Sequence, residues 1–316
     1  MSPLVETILF VFGLVAAGYL SGLTGYLKPE IGDSVAEFAV SVALPLLLFR
    51  TMYGTDFSGA APWALWGAYF TAAIATWTAG HVLVTRGMGR DARAGVVGGV
   101  TASFSNLVLL GVPFMLGVYG QPGFAILSLL VSVHLPIMLT ASILLFEWAG
   151  SEVGEPKPVA QLLLTIVRRM FTNPLIIGIV AGLAFRAIGV PLPGIAVRLI
   201  DALADVAGPI ALFAMGLGLR KYGIGGNVAG GAMLACLKLM LMPAIALGAA
   251  WLFGLPPMTA KVAVAAAALP AGVNSYLIAT QFGTGQALAS NAQTIGTASA
   301  VVTTSLWLSI AHLVFG

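Results

Sequence analysis

The stretch "AVAAAALPAGVNSYLIATQFGTGQ" (263–286) begins as an apolar helix, breaks at Pro270, Gly272 and Asn274, and then turns apolar again. Hydrocarbon offers no partner to a backbone amide or carbonyl freed by such a break. A break at membrane depth therefore survives only where protein or a polar cavity supplies one. At about 1.5 Å per helical residue, the piece before the break (259–269) is about 16 Å long and the piece after it (275–283) about 14 Å. Each is about half of a hydrocarbon core of about 30 Å, so the break is expected near the bilayer midplane.

Composition places the rest of the chain in the same solvent. Of 316 residues, 59% are hydrophobic and 8% are charged, with a mean hydropathy of +1.02. Soluble domains carry about 25% charged residues, and no stretch here is polar and long enough to form one. The net charge of +3 and the pI near 9.1 reflect basic loops at a membrane surface rather than a nucleic-acid partner. The single cysteine, Cys236, lies in an apolar run, so no disulfide framework is expected. No Lys or Arg precedes the first apolar run, unlike a cleaved signal peptide.

Ten apolar stretches of spanning length follow, at about 4–25, 32–53, 62–85, 92–120, 122–148, 172–189, 194–219, 227–253, 258–283 and 287–315. The fold class expected is an all-α polytopic membrane protein with ten transmembrane helices. The hydrophilic connection "GSEVGEPKPVAQLLLTIVRRMF" (150–171) ends in a short amphipathic segment with Arg168 and Arg169. With the N-terminus outside, nine basic residues become cytoplasmic (Lys28, Arg86, Arg90, Arg93, Lys157, Arg168, Arg169, Arg220 and Lys221), against four on the other side. That bias puts both termini outside the cytoplasm and 150–171 within it. Tyr26, Trp63, Trp66, Trp148 and Trp307 sit mostly near span ends, as an interfacial aromatic belt does.

The chain also repeats itself. "VALPLLLFRTM" (42–52) aligns with "VAGPIALFAMG" (206–216), and "FMLGVYGQPG" (114–123) with "LIATQFGTGQ" (277–286), both at an offset of 163–164 residues. Two in-order matches at one offset define a first repeat at 1–149 and a second at 172–316, joined by the connecting loop 150–171. Five spans per half is an odd number, so the halves are inverted with respect to each other, an arrangement found in secondary transporters with discontinuous helices at corresponding positions. Span four has its own break in "TASFSNLVLLGVPFMLGVYG" (101–120), with Asn106, Gly111 and Pro113. Crossing of broken helices four and nine would bring two half-helix N-termini to one place, near Pro113 and Ser275, with positive dipole ends suited to an anion. Ser103, Ser105, Asn106, Gly111, Pro113, Pro270, Gly272, Asn274 and Ser275 are the expected substrate-binding residues. Two ordinary proline kinks are the alternative.

Lys238, in "LACLKLMLMPA", lies near mid-span, where a lysine is costly. It would serve as a substrate counter-ion or replace a coupling cation, the alternative being a lysine that pairs with a scaffold carboxylate or snorkels to an interface. Glu37 and Asp201 match at the same offset and Asp205 follows by one turn; these are candidate proton or ion ligands, a solvated interface being the alternative. His81, His134 and His312 show no ligand spacing, so no metal is expected. Neither a phosphate-binding loop nor a dinucleotide fingerprint occurs, so no cofactor is expected and a catalytic function is disfavoured.

The segments "SNLVLLGVPFMLGVYG" (105–120), "LPAGVNSYLIATQFG" (269–283) and "KLMLMP" (238–243) resemble the auxin efflux carrier family, which includes the plant PIN proteins and bacterial carriers of malonate and other carboxylates. The resemblance extends over essentially the whole chain. It implies a dimerising scaffold from spans one, two, six and seven, and a mobile transport domain from spans three to five and eight to ten. It also implies that Asn106, Gly111, Pro113, Pro270 and Asn274 border the substrate. Ser105 and Ser275 stand where PIN crossovers have prolines, which favours the bacterial branch. The expected protein is therefore a secondary transporter of a small organic anion, a carboxylate such as malonate or malate or an auxin-like acid. It would work by elevator-type alternating access, as a homodimer in the cell (inner) membrane. A sodium-coupled symporter of the bile-acid type is the nearest alternative, and a membrane sensor or channel the next.

The topology is testable by cysteine labelling. In a Cys236→Ser background, an impermeant thiol reagent added outside intact cells should leave Glu155→Cys unlabelled until the cells are opened. Labelling from outside would reverse the assignment.

Overall fold

Proline and glycine decide where these helices start, widen and stop. The computed structural model describes residues 3–55, 62–150, 171–189, 191–222 and 224–316, together with Leu164 and Arg168. Most of the expected connecting loop and its amphipathic segment, including Lys157 and Arg169, lie outside the described residues. The first part of the chain forms α1 (Pro3–Leu23), α2 (Pro29–Phe38), α3 (Leu44–Gly54), α4 (Pro62–Val82), α5 (Ala92–Ser103) and α6 (Val112–Gly150). It continues as α7 (Pro174–Ile188), α8 (Gly194–Asp205), α9 (Ala207–Tyr222) and α10 (Val228–Cys236). The last elements are α11 (Met242–Leu252), α12 (Pro257–Ala268), α13 (Val273–Gln281) and α14 (Gln286–Phe315). No strand occurs among the described residues, only one isolated bridge.

Capping follows the sequence. Asp91 accepts from the Ala94 amide at 2.7 Å to start α5, and Asn227 accepts from the Gly230 amide at 2.9 Å to start α10. Asn173 caps α7 ahead of Pro174, whose missing N–H costs nothing in a first turn. Gly189, with φ 72°, closes α7 in the left-handed conformation that glycine adopts freely. Within α6, Gly120 (φ 62°, ψ −159°) interrupts the helix where the sequence divides spans four and five.

Three π-helical turns, Ala39–Ala43, Leu107–Gly111 and Leu237–Leu241, each run into a helix with proline at its second position: Pro45, Pro113 and Pro243. Proline lacks the N–H that would reach back four residues, and its ring crowds that carbonyl. A locally widened turn is the geometric answer, and such turns recur at functional positions.

Among the described residues, six continuous segments are long and apolar enough to cross a membrane: Val5–Leu23, Glu30–Gly54, Leu107–Gly150, Gly194–Leu219, Val228–Leu252 and Gln286–Phe315. Two shorter apolar helices, Pro174–Ile188 and Pro257–Ala268, accompany them. Of the expected aromatic belt, Tyr26, Trp63 and Trp148 are exposed, but Trp307 is buried and serves the interior instead.

The chain divides into two units, each drawing on both halves of the sequence. One comprises Met1–Ala60, Val108–Val133 and Leu163–Lys221, and the other Ala61–Leu107, His134–Leu162 and Tyr222–Gly316. In the first unit, side chains at Gly18 and Gly216 would overlap the Phe213 and Val15 carbonyls, so α1 and α9 lie backbone to backbone. In the second, α4 and α5 meet the same way. A Cβ on Gly80 would come within 2.6 Å of the Gly98 carbonyl oxygen, and one on Gly98 within 2.8 Å of that of Gly80.

Gly80→Val should therefore separate α4 from α5, with an overpacking cost of about 1–3 kcal/mol. A lower melting temperature in detergent than for an exposed control such as Gly248→Val, where a Cβ meets nothing within 4 Å, checks this.

Candidate functional site

The break in "ALPAGVN" is forced by proline. Leu269, preceding Pro270, takes φ −65° and ψ 148°, an extended conformation that ends α12. On the other chain segment, α5 stops at Ser103 and Phe104 turns extended (φ −81°, ψ 92°). These two short extended pieces cross and pair. The Asn106 amide donates to the Pro270 carbonyl at 2.9 Å, and the Gly272 amide donates to the Phe104 carbonyl at 2.9 Å. They form an antiparallel bridge, Ser105 opposite Ala271. Phe104, Asn106, Pro270 and Gly272 are all buried, so without this exchange the two amides and two carbonyls would lack partners.

Around the crossing several hydroxyls are already committed. Ser103 donates back to the Gly99 carbonyl (2.8 Å), and Ser275 donates to the Gly272 carbonyl (2.8 Å). Tyr69 on α4 donates to Ser105 Oγ at 2.9 Å, and Met242 Sδ lies 3.9 Å from the same oxygen. Asn106 is buried and Asn274 half-buried at the start of α13, where the first-turn amides have no carbonyl within the helix.

Lys238 is 1% exposed, and its ammonium donates to the Ala267 carbonyl at 2.6 Å. Ala267 lies in the last turn of α12, so a cation meets the negative end of the half-helix immediately before the crossing. Its partner is thus a backbone carbonyl, and the salt bridges among the described residues involve Arg50 alone. The π-helical turn that presents Lys238 exists because of Pro243, which frees the Leu239 carbonyl. That carbonyl accepts from Trp307 Nε1 at 2.8 Å. The buried indole therefore repairs the proline defect that positions the lysine.

His134 on α6 packs against the same place. Its ring lies 4.8 Å from that of Phe104, edge on, and 5.5 Å from that of Tyr69. Among the described residues no group of three His, Cys, Asp or Glu side chains could hold a metal.

The remaining sequence candidates belong to the other unit. Gly111 closes a π-helical turn and Pro113 opens α6 beside Gly208. Asp201 and Asp205 both accept from Arg50 Nη1, at 3.1 Å and 2.8 Å, while Glu37 is exposed on α2. Arg50, Asp205, Gln121, Pro113 and apolar residues of α1 line a cavity of about 360 Å³. Nothing in the sequence marked Arg50, Tyr69 or His134 as neighbours of these residues, because their partners lie tens of positions away or more.

A family described as membrane transport protein matches residues 3–308. The chain belongs to this family of transporters, that of the auxin efflux carriers. A protein described as "Uncharacterized transporter" from Methanothermobacter thermautotrophicus is 25% identical over 305 residues, 96% of each chain. One from Rhizobium meliloti, described as "Putative malonate transporter", is 29% identical over 328 residues, 96% of this chain and 94% of that one. Auxin efflux carrier component 8 of Arabidopsis thaliana is 27% identical over 242 residues, 61% of this chain and 65% of its own. The protein is thus a multi-pass membrane transporter, and its family is one of carriers rather than enzymes.

Trp307→Phe keeps the apolar bulk but leaves the Leu239 carbonyl buried without its donor. The expected loss is about 1–3 kcal/mol, read as a lower unfolding midpoint in detergent.

Proposed function

We propose that this transporter is a secondary carrier of a small organic anion, a carboxylate such as malonate or malate or an auxin-like acid, bound at the crossing of the extended segments 104–106 and 269–272. The observation that carries the reading is the buried Lys238, held on the C-terminal carbonyl of α12 beside the point where α13 begins. A fixed cation and a helix N-terminus suit an anionic carboxylate, and the names of the Rhizobium and Arabidopsis relatives both concern organic acids. In this reading Asn106, Pro270, Gly272, Asn274 and Lys238 touch the substrate, while Ser103 and Ser275 hold the helix ends that frame it. Glu37, Asp201 and Asp205, the sequence's candidates for ion coupling, lie in the other unit, with both aspartates held by Arg50.

The transport cycle is elevator-type alternating access in a ten-span protein of two inverted repeats, with helices four and nine as the broken pair. The division of the chain into two units, each mixing both halves, supports this cycle. The unit containing the crossing is the mobile one, and the other is the scaffold of a homodimer in the cell membrane.

Purified wild-type protein should melt at a higher temperature with malonate, because a ligand of the folded state stabilises it. Lys238→Met should weaken malonate binding by at least tenfold in a protein that still folds. Asn274→Ala should cost about 0.5–1.5 kcal/mol, or roughly twofold to tenfold in affinity. Saturable counterflow in proteoliposomes, equal in sodium and potassium, completes the case. Lys238→Met with wild-type affinity would remove the anion site from this place, and unsaturable current would make the protein a channel.

A further inference from the structure

His134 is a buried titratable group beside the crossing that the carrier cycle has not used. It is 2% exposed, and its ring is enclosed by Tyr69 and Phe70 of α4 and by Phe104, at centroid distances of 5.5, 6.4 and 4.8 Å. The ring lies against the Ser105 backbone in the crossing itself, yet neither Nδ1 nor Nε2 has a hydrogen-bond partner of ordinary geometry. A buried imidazole with both nitrogens unsatisfied is costly, and such groups in native structures mark positions that act on something else.

The charges around it are one-sided. Lys238 lies within electrostatic reach of the ring. Tyr69 faces it from α4, and Tyr276 of α13 packs on the same apolar cluster, beside Leu135 and Met138 of the histidine's own helix. Arg93 sits eleven residues before Phe104, at the far end of α5, where it donates to the Phe282 carbonyl. Glu147 lies 13 residues beyond His134 on α6. No ion pair among the described residues brings a carboxylate to either His134 or Lys238. A proton on His134 would place a second cation in a buried region that already holds one. A bound carboxylate would supply the missing counter-charge to both.

We propose that His134 is the proton-binding residue of this carrier: it takes up a proton when an organic anion binds at the crossing and releases it when the anion leaves, so that one proton accompanies each anion. The inference rests on the anion-carrier reading. Linkage makes it reciprocal: if the anion favours the imidazolium, the proton favours the anion by the same factor. No bond other than that to the proton changes, and the proton comes from and returns to water on the two sides of the membrane. Nδ1 or Nε2 carries it in the loaded state. The enclosing rings limit exchange with water while the site is occupied.

The test is malonate binding by calorimetry between pH 6.5 and 8.5, with each pH measured in two buffers of different ionisation enthalpy. Wild type should take up about one proton per malonate, and its affinity should rise about tenfold for each pH unit lowered through that uptake. His134→Gln should bind malonate with no pH slope and no proton uptake. An equal slope in His134→Gln would mean that the proton rides on the malonate or on another residue, and would overturn the proposal. PH-independent binding by wild type would overturn it while leaving the carrier reading intact. No binding of malonate or other carboxylates by wild type would overturn both. Should His134→Gln fail to fold, histidine-labelled His81→Gln/His312→Gln protein retains a single imidazole. Its nitrogen resonances should move to those of imidazolium on malonate addition, and unchanged resonances would overturn the assignment.

Discussion

The crossing of residues 104–106 and 269–272 depends on an exchange of two backbone hydrogen bonds, Asn106 to Pro270 and Gly272 to Phe104. Each segment has left helical geometry inside a buried, apolar environment, where a lone amide or carbonyl finds no water. Neither break is tolerable alone. Each supplies the donor and the acceptor that the other lacks, so the breaks must occur together and at one register. Everything near them inherits that register, including the start of α13 and the committed hydroxyls of Ser105 and Ser275.

The same rule, that a freed backbone group needs a named partner, explains the region around Lys238. Pro243 widens the preceding turn and releases the Leu239 carbonyl, which Trp307 recovers from α14. The widened turn presents Lys238, which in turn takes the Ala267 carbonyl at the end of α12. A proline on one helix, an indole on a second and a helix terminus on a third thus fix the position of one ammonium group. No carboxylate among the described residues pairs with it.

The other unit handles charge differently. Arg50 is shared by Asp201 and Asp205, one helical turn apart on α8, and all three are partly open to their surroundings. Such pairs contribute little to stability, about 0–1 kcal/mol each. They also leave the two aspartates engaged with a guanidinium rather than free as cation ligands. Coupling chemistry is then better sought at the crossing, where titratable groups are few and desolvated, than at this half-exposed cluster.

The sequence by itself determined that the chain lives in a membrane, that it is helical, and that the helices break at Pro270 and before Pro113. These properties follow from apolar content and from the missing N–H of proline, both local. It also marked Lys238 and the asparagines as polar groups in costly places. Only the tertiary structure decided what answers each break. The sequence pointed to two breaks, and the structure shows their extended segments satisfying one another across 164 residues, with the Asn106 amide bonded to the Pro270 carbonyl. It likewise moved Trp307 from the expected interfacial belt into the interior and placed His134 and Tyr69 beside Ser105. No periodicity or spacing encodes those meetings, because a hydrogen-bond partner is chosen by which helices pack together, and that is settled by small-residue contacts such as Gly80 on Gly98 far from the groups they bring into reach.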